Sequence, residues 1–159
     1  MSIKITRADY NTQGDVVMSL LRAYAIDPMG GGEDLPDATK VNLISEMQKR
    51  PEICLSFIAW CDDVPVGLAN CILGFSTFAC QDLLNIHDFT VIPEYRRKGI
   101  AGALLAYIEQ YAKEKKYCKV TLECLENNLP AKNAYLKHGF KPYELRPQDG
   151  KAIFFHKYT

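Results

Sequence analysis

The sequence predicts an α+β domain built on a mixed sheet, and three observations carry that expectation. Short runs of β-branched and aromatic residues are interspersed with longer stretches whose apolar residues recur at helical spacing. These segments follow one another as β-α-α-β-β-β-α-β-α-β-β, an order that supports a mixed sheet with helices packed on it. The chain has 159 residues, 48% hydrophobic and 24% charged, enough to bury one core without disulfide help. No repeat, low-complexity segment or linker divides it, so residues 1–159 are expected to form a single domain.

Ile3 to Thr6 alternates and predicts the first strand. Val16, Val17, Leu20, Leu21 and Tyr24 predict an amphipathic helix from Gly14 to Tyr24. Asp27 to Pro36 reads as a loop, because Gly30, Gly31 and Gly32 have too much backbone freedom to hold a regular element. Asp37 is the expected cap of a helix that carries Val41, Ile44 and Met47 and ends near Pro51. Ile53 to Trp60 and Val64 to about Thr77 predict a hairpin across Asp62 and Asp63, with Pro65 where a missing donor matters little. Leu83 to Val91 is the next strand. Ile100, Leu104, Leu105 and Ile108 begin a helix that runs to about Lys115, where Lys113, Lys115 and Lys116 complement its negative end. Tyr117 to Glu123 alternates as a strand. Asn127 or Asn128 caps a short helix through Lys137, and Gly139 sits just past its end. Phe140 to Glu144 and Ala152 to Tyr158 predict a closing antiparallel pair around Pro147 to Gly150.

Charge excludes some functions. Nineteen basic residues balance nineteen acidic ones, so no global field argues for nucleic acid or a membrane surface. The amino terminus lacks the apolar run of a signal peptide, and no stretch is long enough to span a bilayer, which predicts a cytoplasmic protein. The six cysteines, Cys54, Cys61, Cys71, Cys80, Cys118 and Cys124, form no C-x-x-C pair and no histidine cluster. They are read as small buried hydrophobes, with neither metal nor structural disulfide expected.

The most informative stretch runs from Leu84 to Leu105, where a strand gives way to a helix through a basic, glycine-bearing turn. Unpaired backbone N–H groups at a helix start suit a phosphate, and Arg96, Arg97 and Lys98 add positive charge there. The turn matches neither a Walker loop nor a dinucleotide fingerprint. Arg96-x-x-Gly99-x-Ala101, preceded by Val91, Pro93 and Tyr95, resembles the R/Q-x-x-G-x-G/A pyrophosphate loop of the GNAT superfamily of acetyl-CoA-dependent N-acetyltransferases. A second segment, Asn128-x-x-Ala131-x-x-x-Tyr135-x-x-x-Gly139-Phe140, is similar to that family's downstream acetyl-CoA segment. The departure from the pattern is Ala101 in place of the last glycine, with Gly102 following.

The resemblance implies the GNAT fold, a mostly antiparallel mixed sheet of about seven strands flanked by about four helices, and acetyl-CoA as cofactor. It implies that main-chain groups of Phe89, Thr90 and Val91 pair with the pantetheine arm while the loop from Arg96 through Arg97, Lys98, Gly99, Ile100 and Ala101 to Gly102 takes the pyrophosphate. An N–H of the Phe89 to Val91 segment would polarise the thioester carbonyl. Asn128, Ala131 and Tyr135 complete the cofactor set, and Tyr135 is the candidate general acid for the departing thiolate.

The acceptor amine has to lose a proton, because an alkylammonium with a pKa of about 10.4 has no lone pair at neutral pH. His87 is the candidate base. It stands where the spermidine/spermine N-acetyltransferase branch, which the strand Ile86 to Val91 resembles, has glutamate; a structural histidine is the competing reading. In a regular strand Asp88 faces away from His87 and Asn85 shares its face. Asp27, Glu33, Asp34, Asn85 and Asp88 are the candidate substrate-binding residues, with a solvated loop and strand polarity as the alternative. The expected activity is direct acetyl transfer to a primary amine of a small molecule. Acetylation of a protein amino terminus or lysine, or a non-catalytic acyl-CoA-binding module, are the rivals. Phe154, Phe155 and Tyr158 serve a possible homodimer or pack inside.

Overall fold

A computed structural model describes residues 1–159, in the order β1 (Ile3–Arg7), α1 (Tyr10–Ile26), α2 (Asp37–Gln48), β2 (Cys54–Cys61), β3 (Val64–Ser76), β4 (Gln81–Val91), α3 (Ile100–Glu114), β5 (Val120–Leu122) and α4 (Leu129–Lys137). The five strands make one sheet in chain order. β1 to β4 are antiparallel neighbours and β5 pairs parallel with β4, so the fold is α+β with a mixed sheet. The β2–β3 hairpin turns on Asp62 and Asp63, at φ of 48° and 65°. Those values match the primed turns that right-twisted strands require.

Strand alternation sends neighbouring side chains to opposite faces, and both faces are covered. Phe57, Cys71, Leu84 and Ile86 pack on Leu104, Leu105 and Ile108 of α3. Ile58 and Leu68 pack on Val17, Leu20 and Leu21 of α1 and Met47 of α2. β2 and β3 are therefore buried on both sides, which explains their near-continuous apolar sequence.

Several boundaries differ from those the sequence predicts. α1 begins at Tyr10 rather than Gly14, because the Asp9 carboxylate accepts the Asn11 N–H at 2.9 Å and caps the helix before its apolar periodicity starts. Pro36, not Asp37, is the N-cap residue of α2; Asp37 is its first residue and pairs with Lys40 at 2.8 Å. β5 is shorter than the predicted Tyr117 to Glu123. The predicted closing strands are absent, which leaves five strands instead of about seven. Tyr143, Leu145, Ile153, Phe154 and Phe155 are exposed, and one hydrogen bond, Ala152 N–H to Tyr143 O at 3.3 Å, joins the two segments. An alternating pattern becomes a strand only beside a neighbour with free backbone groups, and none runs alongside these segments.

All six cysteines are free thiols. Cys61 and Cys71 are buried as expected, whereas Cys80 and Cys124 are exposed because both lie beyond the ends of strands.

Candidate active site

β4 parts from β5 partway along its length. β5 pairs with β4 only at Leu84, Asn85 and Ile86, so the following residues of β4 have β3 alone as a neighbour. Ile92 N–H donates to Val66 O at 2.9 Å. In an alternating antiparallel ladder this turns the main-chain groups of Thr90 toward Leu68, and those of Phe89 and Val91 toward the open side. Of the three residues expected to offer main-chain groups, Phe89 and Val91 turn theirs to the side without a strand neighbour, and Thr90 turns its own to β3. The Thr90 backbone belongs to the β3 ladder and its side chain is buried.

The strand is also irregular. Asn70 pairs with Asp88 but Cys71 pairs with Ile86, which makes His87 the extra residue of a β-bulge. The bulge cancels the alternation expected for a regular strand. Asp88 joins the face of Asn70, whose amide donates to its carboxylate at 2.9 Å; His87 is exposed. Asn85 is tied elsewhere, its amide lying 3.1 Å from Thr121 Oγ1 and 3.3 Å from Glu123 Oε2. It fastens β4 to β5 where the two strands still touch.

Past β4, the turn Pro93–Tyr95 leads into the basic loop. Arg97 and Gly99 adopt left-handed conformations, φ 60° and 83°, and no main-chain N–H from Arg97 to Gly102 meets a main-chain acceptor. Successive outward N–H groups at a helix start form an anion-binding concavity, and this donor set fits a diphosphate. The Lys98 ammonium lies 4.8 Å above the Tyr95 ring. A β-carbon on Gly102 would sit 2.9 Å from His138 Nε2, so glycine lets α3 approach the end of α4. Ala101 instead packs beside the Val66, Val91 and Ile100 cluster, which gives the departure from the loop pattern a packing reason.

Arg96 is engaged differently from its neighbours. Its guanidinium donates to Asp27 Oδ2 at 2.6 Å and to Val91 O at 2.8 Å. The pair fastens the loop after α1 to the segment after β4. Arg96 and the Met29 N–H hold the Asp27 carboxyl below the usual carboxylate range.

Around the parted strands stand Tyr135, packed on Phe89, Asp88 on β4 itself, and Asp27, bonded to Arg96. Tyr135 is 8% exposed. Its ring meets Phe89 and Phe140 edge-on at 5.8 and 6.0 Å. Burial pushes its phenol well above the ordinary value, and Cys124 and Tyr24 act in the same direction. Tyr135 thus keeps its proton at physiological pH. Burial pushes the Tyr24 phenol up, and the charges of Asp88, Asp27 and Cys124 act in the same direction.

Other expected residues have structural partners. Asp34 makes a two-pronged contact with Arg22, shortest at 2.7 Å, and a 3.4 Å contact with Lys40. These cations hold its carboxyl far below the usual range, so Asp34 braces its loop and is not free for an amine. Glu33 is exposed on the same loop. Asn128 caps α4 by accepting the Ala131 N–H at 3.3 Å. Ala131 packs against the cluster that contains Tyr135.

Tyr24 and Asn70 escaped the sequence reading. Tyr24 continues the apolar stripe of α1 and carries no mark of a site residue. Asn70 did leave a signal, a lone amide inside the apolar run Val66 to Leu73.

The parted sheet leaves one edge of β4 open beside a helix start whose N–H groups meet no main-chain acceptor. The overall fold matches a crystal structure of a probable acetyltransferase with a TM-score of 0.81 at 21% identity, covering 98% of this chain and 99% of that one. It also matches an aminoglycoside acetyltransferase from an uncultured soil metagenomic sample in complex with sisomicin, with a TM-score of 0.73 at 19% identity over 99% and 95% of the two chains. The model of the acetyltransferase (GNAT) family matches residues 18–140, and the chain belongs to that family. Streptothricin acetyltransferase A of Bacillus subtilis (strain 168) is 40% identical over 55 residues, 35% of this chain and 32% of that protein. The Escherichia coli streptothricin acetyltransferase is 34% identical over 75 residues, 43% of each chain. The chain therefore spans less than half the length of these relatives. No helix is long and apolar enough to cross a membrane.

Proposed function

We propose that this chain is a cytoplasmic, single-domain N-acetyltransferase that moves the acetyl group of acetyl-CoA to a primary amine of a small cationic molecule, directly and in a ternary complex. The observation that carries the reading is the continuity between the open edge of β4 at Phe89 and Val91 and the unaccepted N–H groups from Arg97 to Gly102. A cofactor with an amide-bearing arm and a diphosphate fits that track, the arm at Phe89 and Val91 and the diphosphate at the loop, flanked by Asn128 and Ala131. Acetyl-CoA supplies the thioester.

The protein's own groups do the rest. An outward N–H of β4 would polarise the thioester carbonyl of a cofactor held along this edge. Asp88, half-buried on β4 with one oxygen held by Asn70, attracts the acceptor ammonium, while Asp27 is engaged by Arg96. His87, exposed at the bulge, takes the proton from that ammonium directly or through water. Tyr135, neutral and buried against Phe89, would donate its proton to the leaving sulfur and regain one from the acylated nitrogen, which sheds its second proton as the amide forms. The named activity of the relatives supports streptothricin as an acceptor, and the strand from Ile86 to Val91 supports polyamines; both carry amines that suit the Asp88 carboxylate.

The test is a panel of streptothricin, spermidine, an aminoglycoside and lysine-containing peptides, assayed by mass spectrometry for a 42 Da gain per acetyl group transferred. Acetylated streptothricin or polyamine supports the reading. Acetylation confined to peptides favours the protein-acetylating rival, and tight acetyl-CoA binding without turnover favours the non-catalytic one. His87→Ala should remove the acidic limb of the pH–rate profile, and an unmoved limb excludes histidine as the base.

A further inference from the structure

A row of buried polar side chains crosses the sheet beneath this site, and the acetyl-transfer steps do not use it. Ser56, Asn70 and Asp88 are direct cross-strand partners on β2, β3 and β4. Their side chains face the α1 side and touch in sequence. Tyr10 Oη lies 2.9 Å from Ser56 Oγ, Ser56 Oγ 2.5 Å from Asn70 Oδ1, and Asn70 Nδ2 2.9 Å from Asp88 Oδ2. Tyr10, Ser56 and Asn70 are 9%, 1% and 4% exposed.

The direction of the row follows from its end. An ionised carboxylate only accepts, so the Asn70 amide nitrogen must donate to Asp88. The Asn70 oxygen then takes the Ser56 proton, and the Ser56 oxygen is left to accept from Tyr10. Every proton points toward Asp88. No buried side-chain nitrogen or oxygen lacks a partner, so the row is fully satisfied.

We propose that Tyr10, Ser56 and Asn70 are positioning residues whose shared task is to fix the Asp88 carboxylate toward the acceptor amine. The surroundings favour this over plain packing. The row runs through an otherwise apolar layer of Val17, Leu20, Ile58 and Leu68, where unpaired polar groups are costly and apolar side chains would fill the space. The bulge at His87 is the feature that brings Asp88 into line with Asn70. A regular ladder from Ile86 would set His87 opposite Asn70, and the row would end without a carboxylate. One Asp88 oxygen is thereby held by Asn70, and the half-buried carboxylate stands on β4 just beyond its last pairing with β5, where the two strands part.

The inference rests on the acetyl-transfer reading for the identity of the ligand, an amine, but not for its test. Calorimetric affinity for spermidine and streptothricin is measured alongside turnover for wild type, Asp88→Asn, Asn70→Leu, Tyr10→Phe and the double variant Asp88→Asn/Asn70→Leu. Asn70→Leu should weaken amine binding and raise the amine KM roughly tenfold, the scale of a lost hydrogen bond to a charged group. The acetyl-CoA KM should not change. Tyr10→Phe keeps the ring packing and guards against a misfolded Asn70 variant; it should shift the amine KM in the same direction by roughly twofold to threefold. In the double variant the Asn70 change should add nothing to Asp88→Asn, because it acts only through that carboxylate. Wild-type amine affinity in both Asn70→Leu and Tyr10→Phe overturns the proposal, as do fully additive losses in the double variant. Amine binding that follows this pattern without any turnover supports the row and removes the transfer reading instead.

Discussion

Tyr135 joins two demands in one side chain. Its ring packs edge-on between Phe89 and Phe140, and its hydroxyl is the proposed donor to the leaving sulfur. Tyr135→Phe keeps the first and deletes the second. It should lower kcat by about 10² to 10⁴, the range for a general acid, with acetyl-CoA binding intact by calorimetry; an unchanged kcat removes Tyr135 from the mechanism. The same residue sets an alkaline behaviour. Burial raises its phenol above the ordinary ~10, so the fold favours the neutral form. Its contribution to stability is whole below about pH 10 and is lost as pH rises through the higher folded value. Alkaline urea titrations should therefore show Tyr135→Phe losing less stability than wild type above pH ~10. Tyr135 was legible in the sequence through its spacing to Asn128 and Gly139. Asn70 was not, because an amide in a strand acquires meaning only from the side chains opposite it.

At the scale of elements, the decisive contact links two loops. Arg96 reaches Asp27 across 69 positions of sequence and so couples the glycine-bearing loop after α1 to the turn before α3. The sequence assigns Arg96 to the cofactor and Asp27 to the acceptor, whereas the structure joins them into one latch. Asp27 has a lowered folded pKa, so its contribution to stability is present above the unfolded value of about 3.9 and disappears as pH falls through the folded one. Arg96→Ala should destabilise the protein by on the order of 1 kcal/mol at neutral pH, since the guanidinium is partly exposed and screened. The difference from wild type should shrink as urea titrations are carried below pH ~4, and a gap that is independent of pH would mean the latch is not electrostatic. The β4 bulge belongs to this scale too. The periodicity of Leu83 to Val91 revealed a strand but not its irregularity, because one extra residue leaves propensity unchanged and alters only the register with β3.

For the whole molecule, the open question of surface lies in the last twenty residues. Tyr143, Leu145, Ile153, Phe154, Phe155 and Tyr158 are all largely exposed. Large apolar side chains exposed in such number favour association, and we propose a homodimer formed through them. Sedimentation equilibrium should give twice the 18.0 kDa chain mass, and a chain ending at Gly150 should sediment as a monomer. A full-length monomer at every concentration would exclude the dimer.

The sequence by itself determined the order of elements through α4, the phosphate-suited turn from Arg96 to Gly102 and the family to which the chain belongs. The first two rest on local rules, namely periodicity, capping and the unpaired N–H groups of a helix start; the family rests on the resemblance of the Arg96 to Gly102 and Asn128 to Phe140 segments. Tertiary structure alone decided that the closing segments find no ladder, that Thr90 turns inward while Phe89 and Val91 turn out, and that Asp34 and Asn85 are spent on bracing. It alone brought Asp88 into a row with Asn70, Ser56 and Tyr10. Each of these depends on which backbone lies alongside which, and a hydrogen bond between strands leaves no trace in the composition of either one.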